Sequence, residues 1–393
     1  MQLGYVSERS TITTWHVCAV LGVLLLLRVV RIGLFRVFFH PLARYPGPFI
    51  TKLSNIPMTI WTAQARSTYA RYGMHKEYGN VVRTGPNELC FTDITSIKDI
   101  YGQSTEPCLK APYFYNGFTL TGTHSVFGET NRTSLPDTTA TFLDITSSSS
   151  KPFNIHDYIH NLFLDTTSQL SFGNSFNLLS GHDHPGARDI ETYFTISPLF
   201  GVFLIAKYLP FGIFRAAREA RPRIVASVHN CINDLRDRLR VGTAQHGLLR
   251  LKVEAKDGET GTAFSDEELI ENAVLFIIAG SGTTATTLIY LMYEVGKRPE
   301  IQARLEEEIR DAFPDDSLFP NFDIASNLPY LNGVLQEVLR LRGPIPTVAP
   351  RISPGKVISG QYIPAGVVVS NLAYTTRRDP AVFPDPEEFL PDR

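Results

Sequence analysis

Cysteine is scarce and scattered: Cys18, Cys90, Cys108 and Cys231 are the only four in 393 residues, with no CxxC pair and no clustered histidines. That usage excludes a disulfide or zinc framework and fits a reducing compartment. An excess of one charge sign is missing too. Lysine and arginine total 37 against 39 acids, a formal charge of -2. No positive field is left to hold a polyanion, so nucleic acid is excluded as a partner. Apolar residues are not lacking: 43% hydrophobic content is enough for a substantial core and rules out a disordered chain. One sequon, Asn131-Arg132-Thr133, would be glycosylated only in a lumenal location.

Long hydrophobic runs are few. Residues 17–27 form one uninterrupted run, too short alone to cross a bilayer. Residues 11–16 and a snorkelling Arg28 extend it to about 20, near the minimum for a span. Arg28, Arg31, Arg36 and Arg44 follow the run and only Arg9 precedes it, so the positive-inside bias leaves the remainder cytosolic. A cleaved signal peptide would need a basic start and small residues after the run; arginines and the bulky 34–39 stretch stand there instead. The expectation is an uncleaved anchor with its basic flank over 1–40, the second half partly embedded. Three prolines in 41–48 forbid a continuing helix, which makes 41–50 a stiff hinge ahead of a folded domain over 51–393.

Within that domain the 78–93 stretch has two β-rich runs around Gly85-Pro86, read as two strands of a small sheet. Residues 133–150 are rich in serine and threonine and read as loop. Helical periodicity then dominates over 155–172, 186–207, 214–241, 265–297, 298–312 and 328–342, so the fold class is mainly α with small β-sheets. Ser265-Asp266-Glu267-Glu268 is a capping box that starts a long helix, apolar on nearly all sides and expected to run through the centre. After Arg342, runs at 357–362 and 367–370 flank Pro364-Ala365-Gly366 and read as a hairpin.

Two motifs carry chemistry. Ala279-Gly280-Ser281-Gly282-Thr283-Thr284 puts two glycines inside the long helix, costing roughly 1 kcal/mol each relative to alanine. Either the backbone approaches a flat ligand, with a bulge turning the Thr283 hydroxyl into a cavity, or helices pack closely and the threonine bonds back to the preceding turn. Glu337 and Arg340 share a helix face at i, i+3 spacing among apolar flanks, which suits a partly buried pair. Such a pair needs a third member, and Arg393 in Phe389-Leu390-Pro391-Asp392-Arg393 can supply it.

The order of these signals is anchor, proline hinge, AGxxTT helix, ExxR helix, Ala349-Pro350-Arg351, hairpin, Arg378-Asp379-Pro380, then FxPxR. This order resembles the cytochrome P450 superfamily, and FFHPLARYPGP with RDPAVFPDPEEFLPDR is similar to its fungal microsomal, secondary-metabolism members. The resemblance implies haem held between the 279–284 helix and a cysteine loop, with Ala279 and Gly280 on the haem side. It implies that Thr283 assists oxygen activation, that Arg351 pairs with a haem propionate, and that Glu337, Arg340 and Arg393 form a structural triad. It implies a lipophilic small-molecule substrate, electrons from NADPH-cytochrome P450 reductase, and a place on the endoplasmic reticulum membrane. Apolar segments 114–120, 199–209 and 275–278 are expected either to face the substrate or to pack the core.

Three departures stand against that pattern. Gly282 falls where the family usually has an acid, and 131–151 offers only Arg132 where an arginine-rich helix is expected. The family's ligand cysteine lies in an FxxGxRxCxG loop beyond the FxPxR arginine; the last cysteine here is Cys231. With no axial cysteine there is no residue to name as metal ligand, and a haem without thiolate cannot favour O–O cleavage in the family's manner. The reading is therefore an incomplete P450 fold whose 393 residues are inactive; a fragment of an active enzyme and a non-enzymatic, membrane-tethered binding protein are the alternatives.

Overall fold

The computed structural model describes residues 4–102, 105–111, 154–182, 184, 186, 189–190, 192–193, 212–243, 247–255, 262–314 and 320–393. The expectations for the sequon, the serine- and threonine-rich stretch, and segments 114–120 and 199–209 lie outside the described residues. The chain divides into two compact units, Met1–Ala111 with Thr347–Thr376 and Pro112–Pro346 with Arg377–Arg393.

The first unit opens with α1, Gly4–Leu34, which passes into a wide π turn, Phe35–Phe39. From Trp15 onward its apolar side chains are exposed, with Trp15 at 77% and Leu25 at 63%. The segment Trp15–Phe39 is long and apolar enough to cross a bilayer, and so by composition is a second helix described below. Short helices α2 (Phe49–Leu53), α3 (Ile56–Ala63) and α4 (Ser67–Tyr78) follow the hinge. Strands β1 (Val81–Gly85) and β2 (Glu88–Phe91) pair antiparallel, Val82 opposite Cys90, as the runs around Gly85-Pro86 predict. Next come α5 (Ile94–Tyr101) and β3 (Leu109–Lys110).

From the C-terminal part of the chain this unit takes β4 (Arg351–Ile352), β5 (Lys356–Ile358), β6 (Gln361–Ile363), β7 (Val368–Asn371) and a short closing helix, Ala373–Thr376. The larger sheet has the order β1-β2-β7-β4-β3, and among the described residues β5 pairs only with β6. The expected hairpin is thus corrected. The run 357–362 is two strands, broken at Ser359 and Gly360 with φ of 50° and 74°. Two left-handed residues make the tight turn that matches strand twist, and Ser-Gly is itself a turn dipeptide. Residues 364–366 instead carry the chain to β7, which lies between β2 and β4. Leu42, Leu89, Phe91, Ile358 and Val369, all fully buried, form the core here.

The second unit is helical: α6 (Ile155–Phe172), α7 (Gly212–Arg240), α8 (Leu248–Glu254), α9 (Asp266–Gly296), α10 (Pro299–Ala312), α11 (Phe322–Ala325) and α12 (Pro329–Arg342). Its core joins Ile224, Ile232 and Leu235 of α7 to Leu269, Ala273 and Ile277 of α9, each worth about 1.5–3 kcal/mol for the larger side chains. The capping box holds as expected: Ser265 N donates to Glu268 Oε2 at 2.8 Å and Glu268 N donates to Ser265 Oγ at 3.2 Å. The central course expected of α9 is true only of its first half. Buried positions run densely from Leu269 to Val274 and then thin out, while Thr284, Tyr290, Met292 and Tyr293 are exposed.

Candidate functional site

The middle of α9 is regular α-helix across 279–284, with no π turn. Three small polar residues in and just after this stretch bond backwards: Ser281 Oγ donates to Ile277 O at 2.6 Å, Thr283 Oγ1 to Ala279 O at 2.6 Å and Thr287 Oγ1 to Thr283 O at 2.9 Å. A hydroxyl that donates to a helix carbonyl keeps its lone pairs for accepting. The two glycines differ. A Cβ on Gly280 would meet Thr167 Cγ2 of α6 at 3.0 Å, so this glycine allows α6 and α9 to approach. A Cβ on Gly282 would meet nothing within 4 Å, leaving bare backbone beside the half-buried Thr283. Ala279 is half-buried as well. Of 275–278, Ile277 is fully buried and Phe276 and Ile278 pack against the same core.

The ExxR pair is buried and closed. Glu337 and Arg340 are 4% and 7% exposed, joined by two bonds of 2.7 Å, Nε to Oε2 and Nη2 to Oε1. The remaining Arg340 donors reach backbone carbonyls of Arg377, Pro386 and Glu388 at 3.0, 2.7 and 2.9 Å. Arg393 Nε donates to Glu337 Oε1 at 3.1 Å, as does Leu390 N at 2.9 Å. Burial alone would raise the Glu337 carboxyl, but hydrogen bonds from Arg340, Leu390 and Arg393 outweigh it and hold the carboxyl below its ordinary value of 4.5. Gly333 completes the seat, since a Cβ there would collide with Pro391 O. The triad thus ties the 377–393 loop to α12.

Sequence reading missed a second carboxylate hub. Glu294, 1% exposed near the end of α9, accepts from Arg298 Nη1 at 2.5 Å and from Arg342 Nε at 2.7 Å. Its signal is the i, i+4 spacing of Glu294 and Arg298, hidden because the helix boundary falls between them. Arg351, in the other unit, lies on β4 opposite Val369 and Lys110, with its guanidinium 5.4 Å from the centre of the Tyr101 ring.

Haem is the group that the sequence resemblance implies, and the thiols decide whether the residues present fit it. Cys18 stands exposed on α1. Cys90 is fully buried in β2, its thiol pushed up to about 11 by burial. Cys108 is buried and shifted the same way. Cys231 of α7 borders a cavity of about 360 Å³ with Phe172, Phe176 and Asp234, and burial pushes its thiol up to about 11 as well. A ligating cysteine needs a stabilised thiolate, which buried apolar surroundings oppose. These four cysteines do not fit as the fifth ligand of a haem iron.

Residues 139–393 match the family described as Cytochrome P450. The chain is similar to the cytochrome P450 monooxygenase ABA2 of Pyricularia oryzae, 31% identical over 91% of this chain and 75% of the relative. It is similar to the monooxygenase astJ of Aspergillus oryzae, 29% identical over 91% and 77%. Tryprostatin B 6-hydroxylase of Neosartorya fischeri is 27% identical over 92% and 69%. Among solved structures, the cytochrome P450DA heme domain superposes with a TM-score of 0.68 at 20% identity, over 89% of this chain and 81% of that one. Mostly helical architecture with small sheets, the closed ExxR triad and matches over most of the chain agree on one conclusion: the chain belongs to the cytochrome P450 family.

Proposed function

We propose that this chain is a relative of the fungal P450 monooxygenases that act on lipophilic secondary metabolites, and that this polypeptide by itself does not perform monooxygenation. The observation that carries the second statement is the placement of its cysteines: Cys18 stands exposed on α1, and burial pushes up the thiols of Cys90, Cys108 and Cys231. The substrate class rests on relatives such as the tryprostatin B 6-hydroxylase, whose name gives hydroxylation of a natural product. The exposed α1 supports a tether to the endoplasmic reticulum membrane, with NADPH-cytochrome P450 reductase as the electron source.

Were haem bound, Thr283 would take the oxygen-side role that the resemblance implies. Its hydroxyl proton sits on Ala279 O, so it accepts a hydrogen bond as it stands and donates one only after rotating away. Bare backbone at Gly282 supports a ligand lying alongside, and the same position carries no acid to pass a proton. Ala279 and Gly280 would lie on the haem side of α9 if the group were bound, while the close neighbour of Gly280 in this structure is Thr167 of α6. Arg351 is the proposed propionate partner, where a charge-assisted hydrogen bond is among the stronger ones available.

The test is the reduced carbon monoxide spectrum of the 393-residue polypeptide made with added haem precursor. No band near 450 nm is expected, because that band needs a thiolate. A clean band, or NADPH-dependent hydroxylation with reductase, would overturn the proposal and point to Cys231. A second reading, that these residues belong to a longer active monooxygenase, is favoured by the 75% and 77% of the relatives that the chain spans. Reading the transcript past the Arg393 codon for FxxGxRxCxG separates the two.

A further inference from the structure

Basic side chains gather where the anchor ends. Arg83 of β1 is fully buried, and three backbone carbonyls cap it: Nη1 donates to Arg36 O at 2.9 Å and Leu42 O at 3.4 Å, Nη2 to Pro86 O at 2.6 Å. Among the described residues its Nε has no acceptor. The hinge presses on the same strand, for Arg83 N donates to Pro46 O at 2.8 Å, and a Cβ on Gly47, at φ 151°, would collide with Arg83 O. Half-buried Arg36, His40 and Lys52 stand around this guanidinium, Arg36 Nη1 donating to Leu53 O at 2.5 Å. Among the described residues no carboxylate pairs with any of the four. They act on one another instead. Burial and then the charge of Arg83 lower both His40 and Lys52, and Arg36 lowers His40 and Arg83 further. A buried guanidinium ordinarily comes with an acid, and here only carbonyl dipoles compensate it.

Depth supplies the ligand. Residues 15–34 of α1 rise about 30 Å, the thickness of the hydrocarbon core, so the chain from Phe35 onward stands at the level of lipid phosphates. Phe38, Phe39, Phe49 and Ile50, on either side of the hinge, are 67%, 76%, 62% and 52% exposed, as suits side chains dipped into that interface. His40 Nδ1 accepts from Leu42 N at 3.1 Å, which leaves Nε2–H as the donor of the neutral ring.

We propose that Arg36, His40 and Lys52, backed by the buried Arg83, bind the phosphate of an anionic phospholipid headgroup. This rests on the reading of α1 as a membrane anchor. An uncompensated anion suits two arginines and a lysine that have a neutral imidazole donor and no acid beside them, and a zwitterionic headgroup brings a positive charge that the group repels.

The experiment puts the whole chain into nanodiscs of equal dioleoylphosphatidylcholine and dioleoylphosphatidate and weighs the lipid retained on extraction into detergent by mass spectrometry. Phosphatidate should be retained at least ten-fold over phosphatidylcholine. Each cation lost in Arg36→Gln with Lys52→Gln should lower that preference about five-fold. His40→Gln with Lys52→Gln, which leaves the Arg36 bond to Leu53 O intact, gives a second reading should the first pair fold poorly by circular dichroism. Arg44→Gln, an exposed arginine outside the group, should leave the preference unchanged. Insertion into the bilayer with no headgroup preference overturns the site and leaves the anchor standing, whereas failure to insert at all overturns both. A preference that survives both variant pairs, that Arg44→Gln lowers as much, or that excess inorganic phosphate abolishes also overturns it, the last marking a general anion site.

Discussion

Glu337 and Glu294 are both buried carboxylates of the helical unit, and each holds two arginines, yet the arginines differ. Arg340 is 6% exposed in its side chain and spends its other donors on three loop carbonyls; Arg298 and Arg342 are 25% and 40% exposed. One hub is sealed on the acid and on its Arg340 side, with only Arg393, 19% exposed, at its rim, and the other is sealed only on the acid side. A sealed pair derives its worth from what breaking it leaves behind, since removing one partner strands a charge away from water. Water can reach the partners of an open pair, which makes each of them individually replaceable.

The largest effect should come from Arg340→Ala. It leaves Glu337 with Arg393 and Leu390 N alone and deprives the carbonyls of Arg377, Pro386 and Glu388 of their Arg340 donors, at a cost of about 3–5 kcal/mol in urea unfolding of the detergent-solubilised chain. A loss below about 1 kcal/mol would show that the loop repacks and that the hub is no lock. Glu294→Gln should cost less, about 1–3 kcal/mol, because both arginines it deserts can turn to solvent. Arg342→Ala should cost under about 1 kcal/mol, with Arg298 still seated on the acid. Equal losses for Arg340→Ala and Arg342→Ala would erase the distinction between sealed and open.

How much of this was legible in the sequence follows the range of each interaction. The Glu337 hub could be read because its spacing is local, its flanks are apolar and Arg393 stands in a recognisable motif. Glu294 could not, because Arg342 comes to it from 48 residues away and such a meeting leaves no periodic trace. The helix starts were legible for the same local reason, the Ser265 box above all. The β5–β6 turn was missed because proline and glycine at 364–366 signalled more loudly than Ser359-Gly360, although a turn is decided by which residues must take positive φ. In α9 two glycines looked alike. Only packing separates Gly280, pressed on Thr167, from Gly282, which faces open space.

The smallest expected effect is also the one that tests screening directly. Burial raises both carboxyls, but arginine hydrogen bonds outweigh it, from Arg340 at Glu337 and from Arg342 and Arg298 at Glu294, so both titrate below the ordinary 4.5 in the folded state. An acid whose folded value is depressed stabilises fully above its unfolded value and loses that contribution as pH falls through the folded one. The urea midpoint of the parent chain should therefore hold steady down to about pH 5 and drop below 4.5. Glu337→Gln and Glu294→Gln should each flatten that acid limb. Salt then sharpens the contrast, because the Debye length shrinks to about 3 Å at 1 M and exposed charges are screened before buried ones. The part of the limb that Glu294→Gln removes should shrink in high salt, since Arg342 and Arg298 meet solvent, while the part that Glu337→Gln removes should persist. If salt reduces both parts equally, the arginines of the two hubs see the same dielectric, and sealing is not what distinguishes them.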